Sequence, residues 1–481
     1  MLLISTNILK IIRFALRVTG RGRGTALPGL IGEKYFYKSL STLPRQLDKI
    51  IVITGTNGKT TTAKIIRSIL KQNKISVIGN ISGANLTRGI LTALAFDTNI
   101  FGKVCSKIGV FEVEEASMEK VVKMLKPNIA IVTNLFRDQM DAYGELDHTR
   151  EVIEAGLKNM YEDSLILLNA NDPKVAYMQR IAPGTVKFFG LNDTQIPTDA
   201  ENAVPDSTKS PDERSELIYS KIFFSHIGLY KSKDGKFETP KIDYSVKNYK
   251  SDTNENGLPN ISFILEDRNS QKEIKVEQFH LLGLYNVINS LAAFSAIENL
   301  FTGNTSREKS PTAGQEIQKQ DYSKISAAFG RGEKIDLKNG NSITLVLVKN
   351  PTGFNSVLGA INDVKKKNII FALNDNTADG KDVSWIWDCN YEAVREYNQI
   401  IVTGKRAADL ALRCKYADLP YTMVDTYATA IHEIVEYKNE DGYMKTRKDV
   451  EIYALCSYTA LLKFREYLRT VSNIEPIEKE I

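Results

Sequence analysis

The stretch DKIIVITGTNGKTTT, residues 48–62, decides how the chain folds. It joins an apolar, strand-like run to a glycine-containing turn, and the helix-like run TTAKIIRSILKQ follows at 61–72. Where a strand enters a helix through such a turn, backbone N–H groups and the positive end of the helix dipole both face an anion. The stretch therefore predicts a strand–loop–helix that binds the phosphates of a nucleoside triphosphate.

Each residue type in this loop suits phosphate binding. Gly55 and Gly58 let backbone N–H groups close around phosphate oxygens, Lys59 brings a positive charge to the terminal phosphates, and the Thr60 hydroxyl can ligate Mg²⁺. The general Walker pattern of phosphate-binding loops has a glycine five residues before the position of Gly58. This chain has Ile53 there, so its loop is a shortened form of that pattern. A glycine-rich turn that binds nothing is the alternative. The predicted cofactor-binding residues of the loop are Gly55, Thr56, Asn57, Gly58, Lys59, Thr60 and Thr61.

The short form GTNGKTTT at 55–62 resembles the loop of the Mur ligase family, whose ATP-dependent members activate a carboxylate as an acyl phosphate that an amine then attacks. Further segments resemble motifs of the same family in the same order along the chain. They are VFEVEE at 110–115, TNLFRDQMDAYGELD at 133–147, LNANDP at 168–173, GLYNVINSLAA at 283–293 and FGRGE at 329–333.

Within this family the chain is similar to the MurT group over residues 10–468. MurT proteins are ligase subunits that amidate the α-carboxylate of D-glutamate in the lipid II stem peptide, with ammonia from a separate glutaminase, GatD. The resemblance thus implies ATP and Mg²⁺ as cofactors, a GatD-like partner and a lipid II substrate at the membrane surface. The segments that carry it are FRDQMDAYGE, KNPTGFNSVL at 349–358, LNDNTADGKDVSWIWD at 373–388, VTGKRAADLALRCKYA at 402–417 and SYTAL at 457–461.

The resemblance also implies roles for individual residues. Glu112 would join Thr60 in binding Mg²⁺, and Arg331 would support closure around the nucleotide at the hinge between domains. Lys349 and Asn350, with Asn355, would contact the substrate or the acyl phosphate. The implied catalytic residues are Asp382, Lys59, Glu112, Lys349 and Asn350, and the further nucleotide-binding residues are Asn169, Asp172, Asn286, Asn289 and Arg331.

The chain departs from the family pattern at its metal sites. Many Mur ligases have a histidine that binds a second Mg²⁺ where this chain has Gln139, so that ion would depend on Glu112 and the acyl phosphate. Asn171 replaces the first aspartate of the NADDP motif. MurT proteins commonly carry a four-cysteine zinc ribbon, whereas the ribbon-like HIGLYKSKDGKF at 226–237 has Ser232 and Asp234 near the expected thiolates. We expect no zinc there, and we expect His226 to be a surface or packing residue.

The segment DNTADGKDVSWIWD has two interpretations. Its four aspartates follow the strand-like NIIFALN. They could belong to a functional loop. Alternatively, they could form turns and the N-cap of a helix that begins near Ser384. Composition leaves both open. The resemblance implies that Asp382 orients the catalytic histidine of the glutaminase subunit. The chain's own cysteines have no glycine-flanked turn and no neighbouring histidine, so we expect them to fill the core and ammonia to come from a partner.

Composition limits the class of protein. The 481 residues are 42% hydrophobic and 25% charged, which is ordinary for a globular protein. A net charge of +5 without a nucleic-acid-binding motif argues against DNA or RNA as a partner. Four widely spaced cysteines argue against disulfides and favour a cytoplasmic location.

The N-terminal run MLLISTNILKIIRFALRV, with Lys10, Arg13 and Arg17 on one helical face, leaves peripheral attachment at the inner face of a membrane open. The alternative is a helix packed on its own domain through the opposite face, which holds Ile4, Ile8, Ile11, Ile12 and Ala15.

Alternating strand-like and helix-like runs predict an α/β protein: a central P-loop ATPase domain with a parallel sheet and a small β insertion, then a C-terminal Rossmann-like α/β domain. The predicted limits are a basic amphipathic segment at 1–47, the ATP-binding domain at 48–302 with its insertion at 191–281, a linker at 303–321 and the second domain at 322–481. Two other functions stay open: a Mur-type or folylpolyglutamate-type ligase that adds an amino acid, and a nucleotide-binding scaffold without chemistry.

Overall fold

The computed structural model describes most of the chain, in thirteen stretches: residues 1–18, 26–80, 84–136, 146–193, 195–196, 207–212, 214–253, 259–301, 317–325, 330–362, 367–394, 397–438 and 443–474. Two large sheets organise these residues, and each has helices packed against it.

The first sheet and its ribbon are formed by residues up to 279. The strands are β1 (Lys49–Thr54), β2 (Val77–Ile78), β3 (Ile108–Glu112), β4 (Ile129–Val132), β5 (Leu165–Asn169), β6 (Thr185–Phe189), β7 (Leu217–Phe224), β8 (Ile227–Ser232), β9 (Tyr244–Thr253), β10 (Pro259–Asp267) and β11 (Lys272–Phe279). The helices are α1 (Leu2–Val18), α2 (Ala26–Tyr35), α3 (Tyr37–Leu40), α4 (Lys59–Gln72), α5 (Thr87–Phe96), α6 (Met118–Leu125), α7 (Leu146–Leu157), α8 (Pro173–Ala176) and α9 (Leu284–Leu300). Short 3₁₀ turns lie at Leu43–Gln46, Glu115–Ser117, Tyr177–Ile181 and Tyr322–Lys324.

The first sheet has nine strands in the order β11-β10-β9-β6-β5-β4-β1-β3-β2. Its internal strand β1 is buried along its whole length and pairs in parallel with β3 and β4. Such a strand is apolar throughout because helices cover both faces of a parallel sheet. The carboxyl ends of β1, β3 and β4 therefore meet at one edge, where the glycine loop follows β1.

The predicted β insertion divides into two parts. Strands β7 and β8 form a separate antiparallel ribbon, whereas β9, β10 and β11 extend the main sheet through the parallel pairing of Phe189 in β6 with Tyr244 in β9. This pairing covers the edge of β6, and Val246 and Leu265 bury their side chains in the same core as Leu291 of α9. The small antiparallel sheet that the sequence predicted is thus largely a continuation of the parallel one.

The second sheet has six strands in the order β12-β13-β19-β14-β15-β16, all parallel except β12. Its elements are β12 (Arg331–Asp336), β13 (Ser342–Leu347), β14 (Lys367–Ala372), β15 (Tyr397–Thr403), β16 (Thr422–Met423), β17 (Glu436–Lys438), β18 (Met444–Thr446), β19 (Glu451–Cys456), α10 (Pro351–Asn362), α11 (Ala407–Tyr416), α12 (Tyr427–Val435) and α13 (Tyr458–Val471), with 3₁₀ turns at Ser384–Asp388 and Tyr391–Ala393. Strands β17 and β18 form a separate hairpin. The predicted fold class, a parallel-sheet α/β unit followed by a second α/β unit, is confirmed.

The segment between the two sheets is attached to the first. Asn73 at the end of α4 accepts hydrogen bonds from the backbone of Gln318 and Lys319, and Tyr322 and Ile325 pack in the first core. Most of the predicted linker at 303–321 lies outside the described residues. The domain limits given above remain our proposal.

Helix α1 packs against α2 and α5. Ser5, Thr6 and Leu9 are fully buried in this contact. Of the apolar face that the sequence predicted to pack, Ile12 is partly buried against the core, whereas Ile4, Ile11 and Ala15 are exposed. None of the helices in the described part of the chain combines the length and apolarity that crossing a bilayer requires.

Candidate active site

The loop between β1 and α4 has the geometry that its glycines predict. Gly55 and Gly58 have φ angles of 116° and 92°, which L side chains rarely adopt. A Cβ on Gly58 would lie 2.2 Å from Oδ1 of Asn289, and one on Gly55 would lie 2.4 Å from Oγ1 of Thr133. Glycine is required at both positions because of the backbone conformation and because of these close neighbours.

The residues after β4 hold the middle of the loop. Asn134 accepts the backbone N–H of Asn57 through Oδ1 at 2.9 Å and donates from Nδ2 to the Asn57 carbonyl at 3.1 Å. Thr56 accepts the Phe136 N–H on its hydroxyl at 3.0 Å. Thr133 donates to the Asn57 carbonyl at 2.7 Å. These contacts fix the loop from a neighbouring strand end, and the sequence did not predict them.

Lys59, the first residue of α4, is held inside the site. Its Nζ donates to the Gly55 carbonyl at 2.6 Å and to Oε1 of Glu115 at 2.7 Å. Burial alone would raise the pKa of Glu115, but the charge of Lys59 and the hydrogen bonds with Lys59, Glu114 and the backbone together outweigh it, so the pKa of Glu115 lies below its ordinary value. Burial raises the pKa of the adjacent Glu114 to about 7, against the opposing charges of Lys59 and Lys349.

Thr60 and Glu112 lie together, as the resemblance implied. The Thr60 hydroxyl donates to Oε2 of Glu112 at 2.7 Å. Asn80 fixes the end of β3 by exchanging two hydrogen bonds of 2.9 Å with the backbone of Glu112. Oε1 of Glu112 is buried, accepts no hydrogen bond within the described residues, and lies 3.9 Å from Nη2 of Arg67.

A buried carboxylate oxygen without a donor next to a threonine hydroxyl suits Mg²⁺, which prefers oxygen ligands and keeps several waters. Within the described residues, no group of three or more histidine, cysteine or acidic side chains is arranged to hold a metal ion. The segment Asp138-Gln139-Met140-Asp141, considered for the second ion, lies outside the described residues. Thr60 and Glu112 therefore fit a magnesium ion that takes its other ligands from phosphate and water.

A cleft lies between the loop and the second unit. Asn289 lines it on α9 next to Gly58, and it donates to Oδ1 of the buried Asn286, which itself donates to the Leu282 carbonyl at 2.7 Å. Arg331 and Tyr285 also line the cleft, and burial raises the pKa of Tyr285 to about 12 against the opposing charge of Arg331. The remaining lining residues include Asn57, Gly58, Thr61, Asn134, Phe136, Asn169, Thr352 and Ser356.

Asn169 and Asp172 lie at the end of β5 but in different surroundings. Asn169 lines the cleft and donates to the Thr133 carbonyl at 2.9 Å. Asp172 is fully buried, accepts the Leu135 N–H at 2.7 Å, and caps α8 by accepting from the backbone N–H groups of residues 174 and 175. Asp172 thus positions the chain after β4, whereas Asn169 is the one of the two that faces the cleft.

The ribbon of β7 and β8 is fastened to the first unit by polar contacts. Asn171 donates to the Leu191 and Gly228 carbonyls at 3.0 and 3.2 Å. His226 is fully buried, with Nε2 3.3 Å from Oδ2 of Asp172 and its ring 4.8 Å from that of Phe136. His226 is therefore a packing residue, which is one of the two roles, surface or packing, that the sequence predicted.

Two similar turns lie side by side where β7 begins and β8 ends. Ser232 donates to Asp234 at 2.6 Å and accepts the Phe237 N–H at 3.0 Å. Ser210 donates to Asp212 at 2.6 Å and accepts the Ser215 N–H at 3.1 Å. The sequence identified only the first turn. Their hydroxyl and carboxylate groups are already hydrogen-bonded to each other and to the backbone.

The KNPTGFN segment begins α10 on the far side of the cleft. Asn350 is buried, accepts the Gly353 N–H at 2.8 Å through Oδ1, and keeps an Nδ2 without a partner among the described residues. Lys349 lies near enough to Glu114 to oppose the rise of its pKa. Asn355 accepts the Asn390 N–H at 2.8 Å and therefore links α10 to the loop that follows β14.

The aspartates of 375–388 do not form one cluster. Asp379 is buried and accepts the backbone N–H of Thr459 at 2.7 Å, and Asp375 pairs with Arg406 at 3.3 Å. Asp382 is exposed and accepts the Ser384 N–H at 2.8 Å, which lowers its pKa. Asp379 thus has the turn-forming role that the sequence predicted. Asp382 also accepts a backbone N–H, but its carboxylate is exposed to solvent.

Comparisons with known proteins give the site its context. Residues 53–224 match the model of the Mur ligase middle domain, and residues 347–461 match that of the MurT ligase C-terminal region. The chain is 31% identical over 469 residues to the lipid II isoglutaminyl synthase (glutamine-hydrolyzing) subunit MurT of Staphylococcus aureus (strain COL), covering 96% of both chains. It is 30% identical to the subunit of that name from Streptococcus pneumoniae (strain ATCC BAA-255 / R6), covering 93% of both. The chain belongs to the MurT family.

Membership of the MurT family makes the chain an enzyme, a ligase of the ATP-dependent Mur type. Solved structures share its fold at low identity. MurF from Acinetobacter baumannii has a TM-score of 0.61 at 14% identity, covering 90% of this chain and 78% of that one. A pseudomurein peptide ligase type C from Methanothermus fervidus has a TM-score of 0.59 at 18% identity, covering 88% and 78%. At such identities the likeness establishes the Mur ligase fold alone.

The three buried cysteines of this MurT-family chain are core residues, as predicted. Burial raises the pKa of the thiols of Cys389, Cys414 and Cys456, which keeps them protonated and poorly nucleophilic. Cys105 differs from the prediction because it is exposed.

Proposed function

We propose that the chain catalyses the ATP-dependent amidation of the α-carboxylate of D-glutamate in the lipid II stem peptide, which yields D-isoglutamine, as part of peptidoglycan biosynthesis. The observation that carries the proposal is a single cleft in which the phosphate loop faces the KNPTGFN segment of the second unit. Relatives named as lipid II isoglutaminyl synthase subunits, similar over nearly the whole chain, support this choice of substrate.

The reaction begins with phosphoryl transfer. An oxygen of the substrate carboxylate attacks the γ-phosphorus of ATP, the bond to the ADP oxygen breaks, and an acyl phosphate forms. Lys59 and the N-terminus of α4 stabilise the charge on the phosphate oxygens. Mg²⁺ held by Thr60 and Glu112 would offset the repulsion between the triphosphate and the carboxylate.

Ammonia completes the reaction by attacking the acyl carbon. The C–N bond forms, the bond to the phosphate oxygen breaks, and inorganic phosphate leaves with its electron pair while the nitrogen loses a proton. Lys349 and Asn350, which directly precede α10, would position the acyl phosphate for this attack. Within the described residues, Nδ2 of Asn350 has no hydrogen-bond acceptor, which supports this role because a buried amide without a partner is costly unless a ligand accepts from it.

The proposed source of ammonia is a GatD-like glutaminase bound to the second unit. Asp382 has an exposed carboxylate with one oxygen fixed by the Ser384 N–H, so it can orient and charge a histidine of that partner. The subunit status that the relatives' names give supports a complex. We propose that this complex works in the cytoplasm, at the inner membrane surface where a lipid-linked substrate is accessible.

The test is reconstitution of the chain with its glutaminase partner, lipid II, glutamine and ATP, with phosphate release and the mass of the product as readouts. The Lys59→Ala variant should lose amidation while it stays folded and keeps its partner. Lys71→Ala, an exposed lysine on the same helix, is the control and should remain active. Near-normal turnover of Lys59→Ala would overturn the role of the loop. Incorporation of an amino acid instead of ammonia would favour the ligase alternative.

A further inference from the structure

Helix α1 packs on its domain through a side that is part polar and part apolar. Ser5 and Thr6 are fully buried, and their hydroxyls donate to the Leu2 carbonyl at 2.9 and 3.1 Å. Ser5 also lies 3.1 Å from the hydroxyl of Ser39 in α3. Leu9 is fully buried, and Leu2 and Ile12 are partly buried against the same core. Several other apolar side chains of α1 are therefore left outside this contact.

The opposite side of α1 is apolar and exposed. Ile4, Ile11, Phe14 and Val18 are 54%, 67%, 70% and 70% exposed, and we call these four residues the α1 apolar face. Residues 4, 11 and 18 are seven apart, which puts them in one line along a helix. Single exposed apolar residues are common on proteins, but a continuous row of them marks an interaction surface.

A neighbouring loop extends this surface. Ile100 and Phe101 are 69% and 75% exposed. The Asn7 side chain of α1 donates to the Ile100 carbonyl at 3.1 Å, so the loop lies against the helix. The apolar surface therefore comes from two separate segments of the chain.

The N-terminal segment that contains α1 is basic: residues 1–32 include Lys10 and four arginines, and Asp97 is the one acidic residue of the adjoining loop at 96–106. Lys10 donates to the Thr98 carbonyl, and the guanidinium of Arg13 lies 4.3 Å from the centre of the Phe96 ring. No acidic residue precedes Glu33 in the sequence. An exposed apolar row bordered by cations is the pattern of a helix that lies in the interface of an anionic bilayer, where the cations stay at the headgroups.

We propose that α1 and the 100–101 loop dock on the surface of an anionic phospholipid bilayer, with the α1 apolar face inserted among the acyl chains and the helix axis along the membrane plane. This attachment goes beyond the proposed reaction and does not depend on it. It would keep the cleft at the surface that holds a lipid-linked substrate.

The experiment is co-sedimentation of the full chain with vesicles, without nucleotide or glutamine, so the result is independent of catalysis. We expect binding to vesicles that contain phosphatidylglycerol and weaker binding to phosphatidylcholine alone, with a decrease as salt rises. The variant Ile11→Ser/Phe14→Ser should bind more than about tenfold more weakly, because it removes two large inserted side chains. The control Leu412→Ser/Met423→Ser alters two half-exposed residues of the second unit and should bind normally.

Three results would overturn the proposal: no binding to anionic vesicles, equal binding by the Ile11→Ser/Phe14→Ser variant, or loss of the glutaminase partner by that variant with vesicle binding retained. The last would identify the α1 apolar face as a subunit interface. Both substituted side chains are exposed, so the melting temperature of the variant should stay close to that of the wild type, and a normal melting curve excludes misfolding as the cause of weaker binding.

Discussion

Nζ of Lys59 lies 2.7 Å from Oε1 of Glu115, so the lysine that we propose binds the nucleotide phosphates is neutralised by a carboxylate of its own chain. Both side chains are about nine-tenths buried, at 11% and 8% exposure. An ammonium in such a place is stable only if a negative group pairs with it. Glu115 therefore neutralises Lys59 in the nucleotide-free chain. When a nucleotide binds, its phosphates would replace Glu115 as the partner of Lys59.

The first prediction concerns this exchange. Glu115→Gln removes the carboxylate charge that lies 2.7 Å from the Lys59 ammonium, so the nucleotide-free chain should lose about 1–3 kcal/mol of stability. ATP should restore much of this loss, because its phosphates supply the missing charge. The measurement is the melting temperature with and without ATP. Glu119→Gln, which breaks the exposed pair with Lys123, should change stability by less than about 0.5 kcal/mol.

The second prediction is the pH dependence of the same pair. The pKa of Glu115 is lowered in the folded chain, so its contribution to stability is complete above the unfolded value of 4.5 and disappears as pH falls through the lower folded value. The difference in unfolding free energy between wild type and Glu115→Gln should therefore be constant near neutral pH and shrink below about pH 4.5. Urea titrations from pH 7 to pH 3 measure it. A difference that grew in acid would contradict the assigned charge of Glu115.

The contacts of the loop at 55–61 show which parts of the candidate site the sequence could predict and which it could not. The phosphate loop is contiguous, so its glycines, Lys59 and Thr60 can be recognised from their spacing alone. The pairing of Lys59 with Glu115 and of Asn57 with Asn134 depends on β1 lying between β3 and β4, which brings distant strand ends to one edge of the sheet. The order of parallel strands is not encoded locally, and such second contacts escape a motif search.

The N-terminal helix shows a different limit. Its periodicity correctly predicts a helix, but periodicity cannot say which side faces the protein. Buried hydroxyls that bond to the helix backbone let Ser5 and Thr6 face inward, which a hydrophobicity pattern counts as the outer side. Likewise, the sequence grouped Asp379 with Asp382 because they are close along the chain, whereas one is buried and the other exposed.

The third prediction concerns the ribbon. We expect the purified protein to contain no stoichiometric zinc and to keep its melting temperature in EDTA, because Ser232 and Asp234 are hydrogen-bonded to each other where a zinc ribbon has thiolates. Elemental analysis and thermal melts measure this. Ser232→Ala should instead cost about 1 kcal/mol, since the Phe237 N–H loses its acceptor. One zinc per chain would show that the ribbon is a metal site.

The fourth prediction separates two aspartates of one loop. Asp379→Ala should destabilise the chain by about 1–3 kcal/mol, because the buried N–H of Thr459 at the start of α13 loses its acceptor. Glutamine-driven and ammonium-driven amidation should fall together, in proportion to the folded fraction. A loss of glutamine-driven activity alone would place Asp379 at the partner's active site.

The last prediction tests the contact with the partner. Asp382→Asn should slow glutamine-driven amidation far more than ammonium-driven amidation. A carboxylate that orients and charges a histidine is needed only for the release of ammonia from glutamine. The same change in a hydrolytic triad can cost about four decades in rate, since the histidine takes the wrong tautomer. An asparagine Oδ1 can still accept the Ser384 N–H, so the local turn should persist.

The readout for Asp382→Asn is a ratio, glutamine-driven over ammonium-driven product, measured with the same partner for each protein. Asp388→Asn makes the same chemical change at another exposed position of the same loop, and its ratio should match that of the wild type. Free ammonia bypasses the glutaminase, so an effect on the partner's histidine lowers the ratio alone. If both activities of Asp382→Asn fell together, Asp382 would act in the ligase site or in folding, and the histidine-orienting role would be wrong.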